Sequence, residues 1–385
     1  MLDCASARRS GAILTIDLGA IRANYRLLRR RVGQAACSAV LKSDAYGLGA
    51  ARVASALYQE GCRHFFVAHV DEGIALRPHL APDADIFVLH GAPPGAEADF
   101  TANGLIPVLN CLQQVSGWRS HACALQRTLP AIIQVDSGMS RMGLAAREID
   151  AWLSDPHFLD GIELRCVMSH LACADEINHP MNAQQLARFC AIRARLPHCP
   201  ASLANSSGIF LSCDYHFDLV RPGAALYGIA PNATQQMHPV VRLQGKVLQT
   251  RTIERGDHVG YGVRYSASET QQVATVSVGY ADGWLRSMSN VGIAIVDGIK
   301  VPLIGTVSMD SSTFNVSAVP AHCIAPGCLI DLICVEHTVD AVASLAGTIG
   351  YEVLTGLGPR LHRHYVDSND PYHAQKEGQR SMDSA

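Results

Sequence analysis

Through the first part of the chain, short apolar runs alternate with stretches in which apolar residues recur every three or four positions. That alternation predicts strands followed by amphipathic helices. AILTI (residues 12–16) reads as a strand, and Asp17 caps a helix on which Leu18, Ile21, Tyr25, Leu28 and Val32 line one face. ACSAVL reads as the next strand, followed by a helix carrying Val53, Ala54 and Leu57 that stops at Gly61, and then by HFFVA. Further strands are expected at DIFVL, LIPVL, PAIIQV, IELRCVMSH, ASLAN and FDLVRPG, with a helix from about Asn182 to Leu196.

Some eight short strands separated by helices over roughly 220 residues predict an α/β fold, an eight-stranded β/α (TIM) barrel rather than an open doubly wound sheet. Periodicity alone does not settle closure. After about Pro239 the pattern changes to alternating strands with little helix, as in QQVATVSVGY and VGIAIVDGIKVPLI, where Asp297-Gly298 marks a tight hairpin turn. The reading is a barrel over 11–238 and a mostly β C-terminal domain over 239–385 that also takes residues 1–10. A chain of 385 residues exceeds what one core usually supports, in keeping with two domains.

Composition narrows the partners. Hydrophobic content of 48%, charged content of 17% and a net charge of −3 describe a globular protein without a basic field for nucleic acid or anionic membrane. No apolar run approaches the roughly 20 residues of a membrane span, and the first residues lack a signal-peptide pattern. The cytoplasm is the expected address, and a small molecule the expected partner. The 13 cysteines form no CxxC pair, and Cys323 with Cys328 does not supply a zinc set, so reduced thiols and no metal are expected.

Lys42 in AVLKSDAYGLGA follows a short apolar strand. At the carboxyl end of a barrel strand it would be partly desolvated, with a lowered pKa and an amine free for Schiff-base chemistry. The same segment also fits a lysine whose stem lies on apolar surface with its ammonium in water. ANSSG (204–208) and RPGAALYG (221–228) could cradle a phosphate with backbone N–H groups, although Gly, Ser and Asn dominate ordinary turns as well. Arg141 in DSGMSRMG and His170 in VMSH follow strands and could face the same mouth. Tyr261 in VGYGVRY lies between glycines; a phenol with an ordinary pKa of about 10 needs nearby positive charge to act as a base.

AVLKSDAYGLG, VDSGMSRMG, MSHLACADE, ANSSG, RPGAALYG, VGYGVRY, VGYADG and GTVSMD, in this order, closely resemble the motifs of pyridoxal-phosphate-dependent alanine racemases. The resemblance runs through both domains. It implies interconversion of L- and D-alanine, serving peptidoglycan or alanine breakdown. Lys42 would hold pyridoxal phosphate as a Schiff base, Tyr46 and Ser206 would contact its phosphate together with backbone amides of Gly223 and Ala224, and Asn205 would support that loop. Arg221 would face the pyridine nitrogen; a guanidinium there stays protonated, weakens the ring as an electron sink and disfavours transamination.

The resemblance makes Lys42 and Tyr261 the two bases on opposite faces of the substrate, with His170 joining Tyr261 to Arg221. Arg141 and Met309 would hold the substrate carboxylate, and Tyr280 and Asp310 would line the same entrance. Because Tyr261, Tyr280 and Met309 act across the interface in that family, a head-to-tail homodimer with shared sites is implied. Two positions depart from the pattern. Gln134 stands where the family often has a carbamylated lysine; its amide, or a bound anion, would have to orient Arg141. Pro359 stands where some relatives have a phosphate-contacting tyrosine. These departures keep open a racemase of broader, serine or basic amino-acid specificity. A protein that binds pyridoxal phosphate without turnover is the other class, against which the second domain argues.

Overall fold

The computed structural model describes residues 4–367. These divide into two compact units, one formed by residues 21–226 with 230–237 and the other by residues 4–20, 227–229 and 238–367.

The first unit is the α/β part. Its sheet has seven strands, Ala39–Val40, His64–Val67, Asp85–Val88, Leu105–Leu109, Leu129–Gln134, Ile162–Met168 and Ala201–Ser202. They lie side by side in chain order, all parallel. A parallel sheet buried on both faces needs strands that are apolar throughout, and Phe65, Phe66, Ile86, Val108, Ile132, Ile133 and Val167 are fully buried. Each such side chain contributes roughly 1.5–3 kcal/mol of burial. The helices Ala50–Gln59, Val70–Leu76, Leu112–Ala124, Ala146–Ser154 and Pro180–Arg193 fall between these strands, and Pro180–Arg193 starts and stops slightly earlier than the expected Asn182 to Leu196.

The remaining parallel pair, Ala36–Cys37 with Leu219–Val220, stands apart from the seven-stranded sheet. The run ACSAVL is therefore broken at Ser38 into two short strands, and its hydroxyl donates to the Val220 carbonyl at 2.8 Å. What is established is a curled parallel α/β unit with a mostly β C-terminal domain, a coarser description than a closed eight-stranded barrel.

The second unit corrects one reading. AILTI is a strand, Ala12–Asp17, but it does not join the parallel sheet. It pairs antiparallel with Val241–Ile253 and parallel with His362–Val366. The local strand-then-helix order reads as a β/α unit, whereas the strand's pairing edges are satisfied by segments much later in the chain. Asp17 still caps the helix Leu18–Val32, its Oδ1 accepting the Ala20 N–H at 3.0 Å.

Val241–Ile253 organises this unit. Its first half pairs with Ala12–Asp17 and Leu329–Ile333, and past an irregularity at Val247 to Gln249 its second half pairs with Gln271–Val276. Gly245 is required there, because a Cβ would sit 2.4 Å from Val276 Cγ1. The hairpin Ile293–Val296 with Ile299–Pro302 turns at Asp297 (φ 48°) and Gly298 (φ 77°), the primed turn that Asp-Gly favours. Two short helices, Val339–Ala346 and Gly350–Gly356, add helical structure that the alternating pattern does not announce. Thr338 caps the first of them through Ala341 N–H at 3.2 Å.

Candidate active site

Parallel strands place the residues that follow them at one edge of the sheet, where ligands of α/β folds bind. Lys42, Arg141, His170, Asn205 and Arg221 all follow such strands in the first unit.

Lys42 opens an unusual segment. Ser43, Asp44, Ala45 and Tyr46 have φ of 53°, 53°, 54° and 58°, one turn of left-handed helix made without glycine. L-residues disfavour this conformation by roughly 1–2 kcal/mol each, so surrounding contacts must hold it. Ala45 N–H bonds the Leu41 carbonyl at 2.8 Å and Gly49 N–H the Asp44 carbonyl at 2.9 Å. Asp44 Oδ1 accepts the Ala50 N–H at 2.7 Å, and Glu72 Oε1 accepts the Ser43 N–H at 2.6 Å. The turn buries Ala45 and Tyr46 and leaves Lys42 half-buried. Burial, then the Arg141 guanidinium, hold the Lys42 ammonium below the ordinary lysine range, with Glu72 pulling the other way.

Arg221 is 4% exposed. It donates to Ser202 Oγ, to the Ser169 carbonyl at 2.6 Å and to the Leu203 carbonyl at 3.4 Å. Burial brings its pKa down to about 10, which leaves it a cation at neutral pH. His170 Nδ1 lies 3.4 Å from Arg221 Nη2. A guanidinium can only donate, so Nδ1 is the acceptor and Nε2 carries the ring proton. Burial, then the charges of Arg221, Arg141 and Lys42, push His170 down to about 3 and keep it neutral.

Around Tyr46 the chain forms a cradle. Gly223 leaves room for the phenol: a Cβ at 223 would stand 2.5 Å from the Tyr46 hydroxyl. Ser206 Oγ accepts the N–H groups of Gly223 at 2.9 Å and Ala225 at 3.2 Å. Ala224 lies between them, and Asn205 bridges to Arg221 while its Oδ1 accepts the Gly208 N–H at 2.9 Å. A hydroxyl, a phenol and glycine-exposed backbone suit a phosphate, and an amine held below its usual pKa suits a carbonyl, so these residues fit an aldehyde-bearing phosphate cofactor.

The loop with Arg141 is pinned by Asp136 Oδ1, which accepts N–H groups of Gly138, Met139 and Ser140 at 2.8, 2.9 and 3.1 Å. Gln134 is buried and its Nε2 donates to the Met142 carbonyl at 3.3 Å, next to Arg141 in the chain. The amide thus steadies the arginine loop through its backbone.

Tyr261, Tyr280, Met309 and Asp310 belong to the second unit. Tyr261 is 74% exposed, on a turn between Gly260 (φ 74°) and Gly262 (φ 73°), and its carbonyl accepts from Thr306 Oγ1 at 2.9 Å. Tyr280 N–H bonds the Ser308 carbonyl, and Ala281 N–H the Met309 carbonyl, each at 3.0 Å. Asp310 is ion-paired with Arg360 Nη1 at 2.6 Å, and Arg360 Nε reaches Asp282 at 2.9 Å. The sequence motifs do not single out Ser169, Ser202, Glu72 or Arg360. Glu72 had one signal, its place three residues into a helix that follows a strand. Among the described residues no cluster of three metal-ligating side chains occurs.

Sequence profiles of the alanine racemase N-terminal and C-terminal domains match residues 16–231 and 240–365. The chain belongs to the alanine racemase family. A curated alanine racemase of Mesorhizobium japonicum, named as catabolic, is 53% identical over 363 residues, covering 94% of this chain and 95% of its own. The alanine racemase of Brucella abortus is 46% identical over 375 residues, with coverage of 94% and 95%. Among solved structures, an alanine racemase from Bartonella henselae, with covalently bound pyridoxal phosphate, superposes with a TM-score of 0.90 at 41% identity, covering 93% of this chain and all of that one. No helix among the described residues is long and apolar enough to cross a membrane.

Proposed function

We propose that this alanine racemase family member interconverts L- and D-alanine with pyridoxal phosphate held at Lys42. The observation that carries the reading is Lys42 itself, set at a strand end on a left-handed turn with its ammonium disfavoured by burial and Arg141. Bound there, the cofactor would supply the electron sink that makes the α-hydrogen of an amino acid acidic. Tyr46, Ser206 and the backbone at Gly223 and Ala224 would bind its phosphate, with Asn205 bracing that loop. Arg221, a buried cation, keeps its donors fixed and does not accept a proton from the cofactor ring.

Racemisation requires a proton to leave one face of the α-carbon and arrive on the other. Lys42 Nζ holds and moves the proton on the D side, and Tyr261 Oη on the L side. His170, neutral and with its Nε2–H free to donate beyond Arg221, would orient that phenol. Arg141 and the Met309 amide would bind the substrate carboxylate, and Tyr280 and Asp310 would line the approach. The exposure of Tyr261, Tyr280 and Met309, at 74%, 43% and 52%, supports a head-to-tail homodimer in which these side chains complete the partner's site. We place the enzyme in the cytoplasm.

We also infer that the parallel sheet closes into an eight-stranded barrel spanning most of 11–238, with the remainder forming the β domain. Support comes from the hydrogen bonds beyond the regular ladders. Asp218 N–H reaches the Ala201 carbonyl at 3.0 Å and Arg221 N–H the Ala204 carbonyl at 2.9 Å. On the other side Ser38 N–H reaches Val220 at 3.0 Å and Val40 N–H reaches Pro222 at 2.9 Å.

Chiral chromatography of products from a panel of amino acids tests the reading. Alanine is expected to be converted fastest, and equal or faster turnover of serine or lysine would replace alanine as the substrate. Pro359, where some relatives place a tyrosine, is the feature that favours this second reading.

A further inference from the structure

Glu72 sits in the first turn of the helix Val70–Leu76, outside every motif that the family resemblance supplies. Its Oε2 accepts the N–H groups of Ala68 at 2.7 Å and His69 at 3.1 Å, which ties it to the end of the strand His64–Val67. Its Oε1 accepts the Ser43 N–H at 2.6 Å, the first amide of the left-handed turn. One half-buried carboxylate therefore joins two neighbouring strand ends and uses both oxygens on backbone donors. Ser43 is exposed, so its side chain offers little packing to hold a φ of 53°.

We propose that Glu72 is a positioning residue for Lys42, fixing the left-handed turn through Ser43 and setting the field at the amine. The proposal rests on the reading of Lys42 as the cofactor-bearing base. The charged and titratable groups that face Lys42 are Arg141 and Glu72, with His90 and His170 nearby; of these Glu72 alone is anionic. Its charge favours a proton on Lys42, so its removal makes the proton leave at lower pH.

Glu72→Gln keeps the shape but sets an amide N–H against one of the backbone donors. In the intact chain loaded with pyridoxal phosphate it is expected to lower kcat for alanine at least tenfold with KM within threefold. The pH midpoint of the bound cofactor's visible absorbance should move down, and the amides of 43–49 should exchange hydrogen faster. Adding Ser43→Gly, which adopts positive φ freely, should recover at least threefold of the lost kcat while leaving the midpoint displaced. An unchanged kcat and midpoint in Glu72→Gln would overturn the proposal, as would a double variant with no recovery. Failure of both variants to fold, seen by circular dichroism, would reduce Glu72 to a structural carboxylate and overturn it too. A wild-type protein that binds no cofactor or leaves alanine unchanged would instead defeat the functional reading, which the same assays report first.

Discussion

Arg221 and Tyr261 are both expected to act on the same reaction, yet they are held in opposite ways. Arg221 is buried, with its guanidinium spread over a hydroxyl and two carbonyls, whereas Tyr261 is three-quarters exposed and anchored by backbone on a glycine-flanked turn. The first unit fixes its chemical groups from within. The second presents Tyr261, Tyr280 and Met309 outward, which suits groups that become ordered against another surface. Substitutions in the first unit should therefore cost stability as well as rate, and those in the second chiefly rate.

The largest contrast is expected at the two proposed bases. Lys42→Ala should abolish racemisation by at least ~10⁴-fold and remove the cofactor's visible colour after dialysis, as measured by chiral chromatography and absorbance. Tyr261→Phe should lower the rate by about 10²–10⁴-fold yet keep the colour and the unfolding midpoint. A Tyr261→Phe enzyme as fast as wild type would break the two-base assignment.

Arg221→Lys carries the contrast into stability. A single ammonium cannot reach Ser202 Oγ and the carbonyls of Ser169 and Leu203 together, so urea unfolding should show a loss of about 1–3 kcal/mol. His170 adds a pH dependence. Its folded pKa of about 3 lies below the ordinary histidine value of 6.5, so the unfolded chain takes up the proton first as pH falls. Stability from this source is full above pH 6.5 and declines by at most about 1.4 kcal/mol per pH unit below it. Urea melts at pH 7 and pH 5 should diverge less in His170→Asn than in the wild type. The smallest effect is expected at the exposed Asp310–Arg360 pair, where Asp310→Asn should leave the thermal midpoint unmoved within error.

Much of this was legible in the sequence. Lys42, Arg141, His170 and Arg221 each follow an apolar strand, and parallel packing collects such positions on one edge. What holds them was less visible. Two of the four acceptors that fix Arg221, the carbonyls of residues 169 and 203, belong to the backbone and leave no residue signature. The left-handed turn is invisible because Ser, Ala and Tyr do not announce positive φ, and a single Asp44 among them does not mark four such residues in a row. Ala12–Asp17 reads as part of a unit with its sequence neighbours, since nothing local shows that its edges pair with residues 241–245 and 362–366.

That last pairing has a consequence for how the protein is made. The strand Ala12–Asp17 leaves the ribosome long before Val241–Ile253 and His362–Val366, the two segments that flank it in the finished sheet. At ordinary translation rates the wait for Val241–Ile253 is roughly ten to fifty seconds, long enough for the parallel sheet between them to fold. Until then an apolar strand with open edges trails from the nascent chain, and a variant that slows elongation before residue 241 should aggregate through it.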